Sequence, residues 1–205
     1  MKRWLLIVSL LLFLLPASAQ YNVKKLMEEG RSTLDKGYYL IAVQIFIMVI
    51  SVKTMLYEPW FLRATAKYQL DDFEGAENDC SEAIALNPYM DEIFEMRAMA
   101  RLHQENYDSA AVDYTHAIEL RKDNRDYWFN RAYCYYRAGQ NGIALEQLDY
   151  ILKRWPRFQE AAILRRDILS GKVVPREEKV IDRNKLFKSI DMLKMNVPLP
   201  AGKSR

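Results

Sequence analysis

The sequence predicts an all-α protein built from stacked helix-turn-helix units. Three observations lead to this fold class: a 34-residue internal repeat, a helical spacing of apolar residues within each repeat, and a shortage of helix breakers. The 205 residues include seven Gly and seven Pro, about half of the usual combined share of roughly 12%. Hydrophobic residues make up 50% of the chain, which is enough for a packed core. A turn-rich β-sandwich is therefore disfavoured.

Residues 1–19 have the pattern of a secretory signal peptide. A basic start at 1–3 precedes a twelve-residue run at 4–15 that is apolar except for one serine, and 17–19 are Ala-Ser-Ala. This arrangement predicts cleavage between Ala19 and Gln20, so the mature protein is expected to be exported, either to a periplasm or out of the cell. The alternative is a membrane anchor, but a membrane-spanning helix needs about 20 apolar residues.

A repeat of 34 residues organises the middle of the chain, with no gap between residues 23 and 158. Such self-similarity is typical of units that each form one supersecondary element and bury their apolar faces only by stacking. The four clearest columns of equivalent residues are Ala42, Ala76, Ala110 and Ala144; Val49, Ala83, Ala117 and Ile151; Leu26, Trp60, Phe94 and Trp128; and Gly30, Ala64, Ala98 and Ala132.

Within one unit, the residue spacing predicts two helices separated by a short turn. Trp60, Ala64 and Tyr68 recur at i, i+4 and i+8, which places them on one face of a first helix. Ala76 begins the apolar stripe of a second helix, and Pro88 ends that helix because proline disfavours a helical residue before it. Small residues in both helices allow their backbones to approach closely.

The pattern W-x3-A at Trp60 and Ala64, followed by Phe73, Ala76, Ala83 and Pro88, resembles the tetratricopeptide repeat. The resemblance implies a right-handed superhelix of about four repeats, with a repeat domain at 20–170. The units are expected at 23–56, 57–90, 91–124 and 125–158, with a closing helix at 159–170. Thr54 and Lys122 depart from the pattern, because they occupy the position of the closing proline in the first and third units.

The resemblance also implies a concave groove that holds a peptide of a partner protein and is lined by the first helix of each unit. Rings with one polar end, together with Met, suit such a groove, although any single ring has the alternative of packing against a neighbouring unit. Of the positions that clamp a chaperone's terminal carboxylate in some members, only Asn130 keeps a suitable residue. The residues expected to face the groove are Phe61, Thr65, Tyr68, Glu92, Glu95, Met99, Asp126, Phe129, Tyr133 and Tyr136.

Arginine recurs with the repeat and predicts a structural ladder between facing helices. Asp79 and Asp113 lie sixteen residues after the first two arginines, so pairing would satisfy partly buried guanidinium groups. The alternative is a cationic strip that binds phosphate or carboxylate groups. The four arginines of the ladder are Arg63, Arg97, Arg131 and Arg165.

No pattern in the sequence indicates catalysis, a metal or a cofactor. His103 and His116 lack Cys or carboxylate partners at metal-ligand spacing, and no nucleophile elbow, phosphate-binding Gly loop or HExxH motif occurs. Cys80 and Cys134 lie in different units, too far apart for a disulfide, and Cys80 falls in a packing column. The net charge of +3 gives no reason to expect nucleic-acid binding.

The segment 41–52 is unusually apolar for a helix at the end of a stack, since only Gln44 and Ser51 are polar. Two explanations remain open. Tyr21, the residues before it or the C-terminal tail cover the helix, or the helix is a contact surface for another chain.

The tail at 171–205 differs in charge from the rest. It carries nine Lys or Arg against four Asp or Glu, a net +5, whereas residues 20–170 carry 19 against 23, a net −4. Leu186, Ile190 and Leu193 would share one face of a short amphipathic helix. The tail is expected either to dock on the acidic repeat domain, or to remain loose until it meets a partner or an anionic membrane surface.

These observations predict a non-catalytic interaction scaffold or adaptor of a bacterial cell envelope, as a monomer or weak homo-oligomer. Its partner is a protein or peptide of unknown identity, and membrane contact is expected only through the tail. Two alternatives are a self-assembling structural protein that uses the helix at 41–52 and an anionic-surface binder that uses the tail. A glycan-processing enzyme is a weaker alternative, because it would need a carboxylate pair in a cleft.

Overall fold

A computed structural model describes residues 22–171, and within that range it contains nine α-helices and no β-strand. The predicted all-α class is therefore confirmed. The predicted signal peptide and the tail from residue 172 onward lie outside the described residues. The helices are α1 (Val23–Asp35), α2 (Tyr39–Val52), α3 (Tyr57–Gln69), α4 (Phe73–Leu86), α5 (Asp91–His103), α6 (Tyr107–Leu120), α7 (Arg125–Arg137), α8 (Asn141–Arg154) and α9 (Gln159–Leu169).

Each helix packs against the next one along the chain, which produces a stack of antiparallel pairs followed by α9. The first helices of neighbouring pairs also touch, since α1 contacts α3 and α3 contacts α5. The odd-numbered helices therefore lie side by side and form one face of the stack. Across residues 22–171, every helix is too short or too polar to cross a bilayer.

The turn inside each pair contains one residue with left-handed backbone geometry. These residues are spaced by 34 and are Gly37 (φ 78°), Asp71 (φ 62°), Glu105 (φ 62°) and Gly139 (φ 77°). The amide after the turn then bonds back to the end of the first helix, as in Asp72 N–H to the Lys67 carbonyl at 3.0 Å. This arrangement satisfies carbonyls that the helix end would otherwise leave unpaired.

The repeated small residues form the contacts between the helices of a pair. Ala42, Ala76, Ala110 and Ala144 are all fully buried. In the first pair the small residue of the facing helix is Gly30, where an added Cβ would lie 2.6 Å from the ring of Phe46. Glycine is needed there because the buried phenylalanine ring occupies the space that an alanine methyl group would fill.

The loops between pairs are closed in two different ways. Where the closing proline is missing, an indole N–H six residues later holds the loop: Trp60 Nε1 donates to the Thr54 carbonyl at 3.2 Å, and Trp128 Nε1 to the Lys122 carbonyl at 3.0 Å. Where Pro88 and Pro156 are present, the residues six positions later are Phe94 and Ala162, whose side chains carry no donor. Each of the two junctions that lacks the closing proline thus has a tryptophan that donates a hydrogen bond to the loop.

Helix α2 contains the apolar segment 41–52 and leaves part of it exposed. Ile47, Met48 and Val52 face solvent, and no segment within 22–171 covers them. Tyr21 and the C-terminal tail, which the sequence offers as covers, lie outside the described residues.

Candidate functional site

A cavity of about 450 Å³ opens on the C-terminal half of the face formed by the odd-numbered helices. Its walls come from α3, α5, α7 and α9, together with one tyrosine of α6. Most of the lining is apolar or aromatic, and a few polar groups are placed among these side chains, as is common for ligand pockets. The lining residues are Tyr68, Met99, Leu102, His103, Tyr114, Phe129, Asn130, Tyr133, Arg137, Glu160, Ile163, Leu164 and Asp167.

Four of the ten residues predicted for the groove line this cavity: Tyr68, Met99, Phe129 and Tyr133. They come from three successive pairs of helices, as the repeat requires. Phe129 also packs against Phe158, with ring centroids 5.5 Å apart. Its ring therefore serves both as cavity wall and as part of the core beneath it.

The other six predicted residues lie outside the cavity wall. Phe61 packs against the core of the second pair, and its carbonyl accepts a hydrogen bond from the Thr65 hydroxyl at 3.0 Å. Tyr136 packs against the core of the fourth pair, and Asp126 is exposed next to Arg125. Glu92 and Glu95 belong to a separate acidic cluster on α5.

That acidic cluster is held by one arginine and one tyrosine. Arg121 Nη2 donates to Asp91 at 2.8 Å and to Glu92 at 2.6 Å, and the Tyr127 hydroxyl donates to Asp91 at 2.6 Å. Burial raises the pKa of the Glu95 carboxyl above its usual range, although a hydrogen bond with Tyr127 opposes that shift. The cluster joins α5 to the start of α7, and Glu92 is neutralised within the protein.

The sequence prediction missed several cavity residues that the repeat itself indicates. Extending the column Phe61, Glu95, Phe129 by one more period reaches Ile163, and extending Thr65, Met99, Tyr133 reaches Asp167. Both lie on α9, for which the sequence predicts only a closing role. Leu102 and His103 occupy the last turn of α5, and Leu102 is one period after Tyr68 of the earlier pair. The periodic signal was therefore present for Ile163, Asp167 and Leu102, but not for His103.

Tyr68 and His103 form the wall of the cavity at the α3–α5 end, and Phe73 packs against both rings. The ring of His103 stacks on Phe73 with a centroid distance of 4.3 Å, and Tyr68 meets His103 edge-on at 5.5 Å. Phe73 also contacts Tyr68 edge-on at 5.5 Å. Three mutually packed rings restrict one another's motion, so this wall is preorganised for an apolar ligand.

The charged groups of the cavity differ in how they are partnered. Arg137 donates to the hydroxyl groups of Tyr133 at 3.0 Å and Tyr107 at 2.7 Å. Asp167 is largely buried and accepts from the exposed Arg166 at 3.2 Å. Glu160 is exposed, and among residues 22–171 no Lys or Arg nitrogen lies within ion-pair distance of it. At the C-terminal wall Glu160 therefore offers an exposed carboxylate, whereas the carboxylate of Asp167 is already paired with Arg166.

The arginine ladder lies away from the cavity, between facing helices. Arg63 makes a two-bond contact with Asp79, with both distances 2.7 Å, and Arg97 contacts Asp113 at 2.6 and 3.0 Å. The side chains of Asp79 and Asp113 are 4% and 0% exposed. These are the structural pairs that the sixteen-residue spacing indicates.

Arg131 differs from the rest of the ladder because its partner is neutral. It donates to Gln147 Oε1 at 2.5 Å and to the Thr115 hydroxyl at 3.3 Å, while its buried Nε has no hydrogen-bond partner in the described part of the chain. Burial lowers the pKa of this guanidinium below its usual range. The ladder is thus incomplete in the fourth pair.

Two further features concern metal and thiol chemistry. In the range 22–171 no group of three or more His, Cys, Asp and Glu side chains is placed to hold a metal ion. Cys80 and Cys134 are both buried and reduced, and burial raises the pKa of each thiol well above its usual range. Such thiols are poor nucleophiles because the reactive thiolate form is disfavoured.

Solved structures share this arrangement of helices. The second TPR domain of human RPAP3, in complex with the HSP70 peptide SGPTIEEVD, has a TM-score of 0.52 and 22% identity, covering 53% of this chain and 91% of that one. This chain has the tetratricopeptide-repeat (TPR) fold. MamA from Desulfovibrio magneticus RS-1 has the same arrangement, with a TM-score of 0.62 and 14% identity over 65% of this chain and 76% of that one.

Curated proteins match about half of this chain. RNA polymerase II-associated protein 3 of Xenopus laevis is 40% identical over 102 residues, and the DnaJ homolog subfamily C member 7 homolog of Dictyostelium discoideum is 28% identical over 107 residues. These matches cover 47% and 50% of this chain but only 15% and 20% of the curated relatives. No family model matches the sequence.

Proposed function

We propose that this protein is a non-catalytic interaction scaffold that binds a segment of another protein in the cavity of its TPR domain. The observation that carries the proposal is the cavity itself, which is lined by side chains from three TPR pairs and α9 and is mostly apolar. A structural relative with the same fold binds a peptide. A preformed surface of this kind loses little entropy when a flexible peptide docks.

The chemistry of the cavity favours a peptide that is both apolar and basic. Met99, Phe129 and Ile163 offer contacts to apolar side chains, while Glu160 and Asp167 present carboxylates at the C-terminal wall. The cation Arg137 donates to two tyrosine hydroxyl groups, which take up part of its hydrogen-bonding capacity and leave its charge in place. This ligand differs from SGPTIEEVD, the acidic peptide bound by the human RPAP3 domain. A partner segment with Lys or Arg beside apolar residues fits the charge of this site.

The binding test starts from a library of random twelve-residue peptides displayed on phage and selected on the full chain. Enriched peptides are synthesised, and their affinities are measured by fluorescence anisotropy. Ile163→Lys should weaken binding tenfold or more, because it removes apolar contact and adds a like charge to the cavity wall. We also expect the selected peptides to be rich in Lys and Arg.

A matched control exists for this substitution. Ile143 on α8 is 43% exposed, close to the 48% of Ile163, but it does not line the cavity. Ile143→Lys should leave the affinity within a factor of two. Equal weakening by both substitutions, or by neither, would contradict binding in the cavity.

We further propose that the protein acts outside the cytoplasm, as an adaptor of a bacterial envelope. The support is the basic, apolar and small-residue pattern of residues 1–19. Amino-terminal sequencing of the protein recovered from fractionated cells should find the chain beginning at Gln20 in the exported fraction. Leu10→Arg interrupts the apolar run and should keep the whole chain, beginning at Met1, inside the cell. Recovery of the unchanged protein from the cytoplasm alone would refute the proposal.

A further inference from the structure

We infer that the cavity has an occupant from its own chain: the segment 183–200 of the C-terminal tail docks there and competes with partner peptides. This inference rests on the proposed function, since it concerns regulation of the same site. Three independent features of the molecule support it: the point where the described chain ends, the opposite charges of the two regions, and the apolar residues within the segment.

The chain leaves the described structure beside the cavity. Helix α9 supplies the C-terminal wall through Glu160, Ile163, Leu164 and Asp167, and the helix ends at Leu169. Gly171 follows with a positive φ of 69°, which turns the chain at the end of α9. The tail therefore begins within a few residues of the wall that it is inferred to contact.

The charges of the two regions are complementary. Residues 22–171 carry 19 Lys or Arg against 23 Asp or Glu, a net −4, whereas residues 172–205 carry nine against four, a net +5. The segment 183–200 itself has four basic residues and one acidic residue, Asp191. Its cations match the carboxylates of Glu160 and Asp167 at the cavity wall. Opposite charges speed the encounter between two surfaces and help to fix the register in which they dock.

The apolar residues of the segment suit the apolar lining of the cavity. Leu186, Ile190 and Leu193 recur at helical spacing, so a helix would present them together. Amphipathic helices commonly bind grooves through such i, i+4, i+7 anchors. A volume of about 450 Å³ falls within the usual range for a binding pocket, roughly 300–1,000 Å³.

The length of the tail permits the contact and strengthens the competition. Leu186 lies fifteen positions after Gly171, and a stretch of that length spans up to about 50 Å when extended. The distance from α9 across α7 and α5 to α3 is about 30 Å at ordinary helix spacing. A tethered segment has an effective concentration on the order of 1 mM. If the free segment binds with a Kd of about 100 µM, the tether weakens a competing peptide about tenfold.

The test measures binding of a fluorescein-labelled synthetic peptide with the sequence of residues 183–200. Its targets are the wild-type full chain and a full-chain tail variant that combines Leu186→Asp, Ile190→Asp and Leu193→Asp. The tail variant should bind the peptide about tenfold more tightly than wild type, because its own segment no longer occupies the cavity. Adding Ile163→Lys to the tail variant should abolish this binding, whereas adding Ile143→Lys should not.

A second tail variant controls for the change in charge. Val173→Asp, Val174→Asp and Val180→Asp add the same three negative charges outside the segment 183–200. This control should bind the peptide about as weakly as wild type does. If it binds as tightly as the tail variant, the effect comes from tail charge in general and the inference is wrong.

Other outcomes separate this inference from the proposed function. Equal peptide affinity for wild type and tail variant, or no binding to either, overturns the inference. The proposed function survives that result if the phage-selected peptides still bind and still lose affinity on Ile163→Lys. If sedimentation shows a wild-type dimer that the tail variant converts to monomer, the segment occupies the cavity of a second copy, and docking on its own chain is wrong.

Discussion

Arg131 shows how a single neutral residue interrupts the structural ladder. Asp79 and Gln147 occupy equivalent positions 68 residues apart, yet only the aspartate neutralises the arginine that it faces. A buried guanidinium without a carboxylate keeps its desolvation cost and gains only neutral hydrogen bonds. The fourth pair therefore lacks the buried ion pair that joins the helices of the second and third pairs.

We predict that Gln147→Asp stabilises the protein by about 1 kcal/mol, because the new hydrogen bonds to Arg131 are charge-assisted. The measurement is the free energy of unfolding in urea. Gln147→Asn has the same side-chain length without the charge and serves as the control. Equal stabilities of the two variants would show that Arg131 gains nothing from a carboxylate.

Glu95 provides a pH-dependent prediction. Burial, assisted by the nearby carboxylates of Asp91, Glu92 and Asp126, raises the pKa of Glu95 in the folded protein above its value in the unfolded chain. Ionisation is then harder in the folded state, so stability is lost as pH rises from the unfolded pKa through the folded pKa. Glu95→Gln should raise the melting temperature at pH 7 and change it little at pH 3.5.

The control for this experiment is Glu146→Gln, since Glu146 is exposed on α8. That substitution should leave the melting temperature unchanged at both pH values. If Glu95→Gln raises the melting temperature equally at pH 3.5 and pH 7, the titration of the Glu95 carboxyl is not the cause of the increase.

At the scale of elements, each junction between pairs is closed either by a proline or by a tryptophan six residues after the position where the proline is missing. The residue just before the closing position is extended in all four junctions, with φ of −135° at Lys53, −147° at Asn87, −137° at Arg121 and −128° at Trp155. Proline imposes this conformation on its predecessor. Where Thr54 or Lys122 replaces it, the indole hydrogen bond holds the loop instead.

We predict that Trp128→Phe destabilises the protein by about 1 kcal/mol through loss of the bond to the Lys122 carbonyl. Adding Lys122→Pro should recover part of that loss, about 0.5 kcal/mol, since Arg121 already has the conformation that proline requires. Both values are measured by chemical denaturation.

Trp155→Phe is the matched control, because the Trp155 indole has no hydrogen bond to another group in the described range. Trp155→Phe should lower the free energy of unfolding clearly less than Trp128→Phe does. A Lys122→Pro substitution that further destabilises the Trp128→Phe protein would contradict the proposed equivalence of the two closures.

For the whole molecule, the period of 34 was sufficient to predict the fold class and the packing columns. Ala42, Ala76, Ala110 and Ala144 are all fully buried, so one rule on residue size applies four times. The Arg63–Asp79 and Arg97–Asp113 contacts follow for the same reason, since both partners recur with the period.

The cavity was harder to predict, because its depth depends on how several pairs curve around one another. Small rotations between pairs add along the stack, and no single column records their sum. Non-periodic contacts matter as well: Arg121 neutralises Glu92, and Arg31 pairs with Glu58, but the other pairs lack equivalents of these arginines. Of the acidic residues that recur with the repeat at Glu58, Glu92, Asp126 and Glu160, two are therefore neutralised within the protein.

The two kinds of closure limit which pairs can be exchanged or deleted without opening a loop. Excising 57–124 would place Trp128 six residues after Thr54 and recreate a junction held by an indole hydrogen bond. Excising 57–90 alone would instead place Phe94 six residues after Thr54, and the Thr54 carbonyl would lose its donor. Shortened or lengthened versions of this protein for biotechnology should therefore keep a tryptophan six residues after Thr54 and after Lys122.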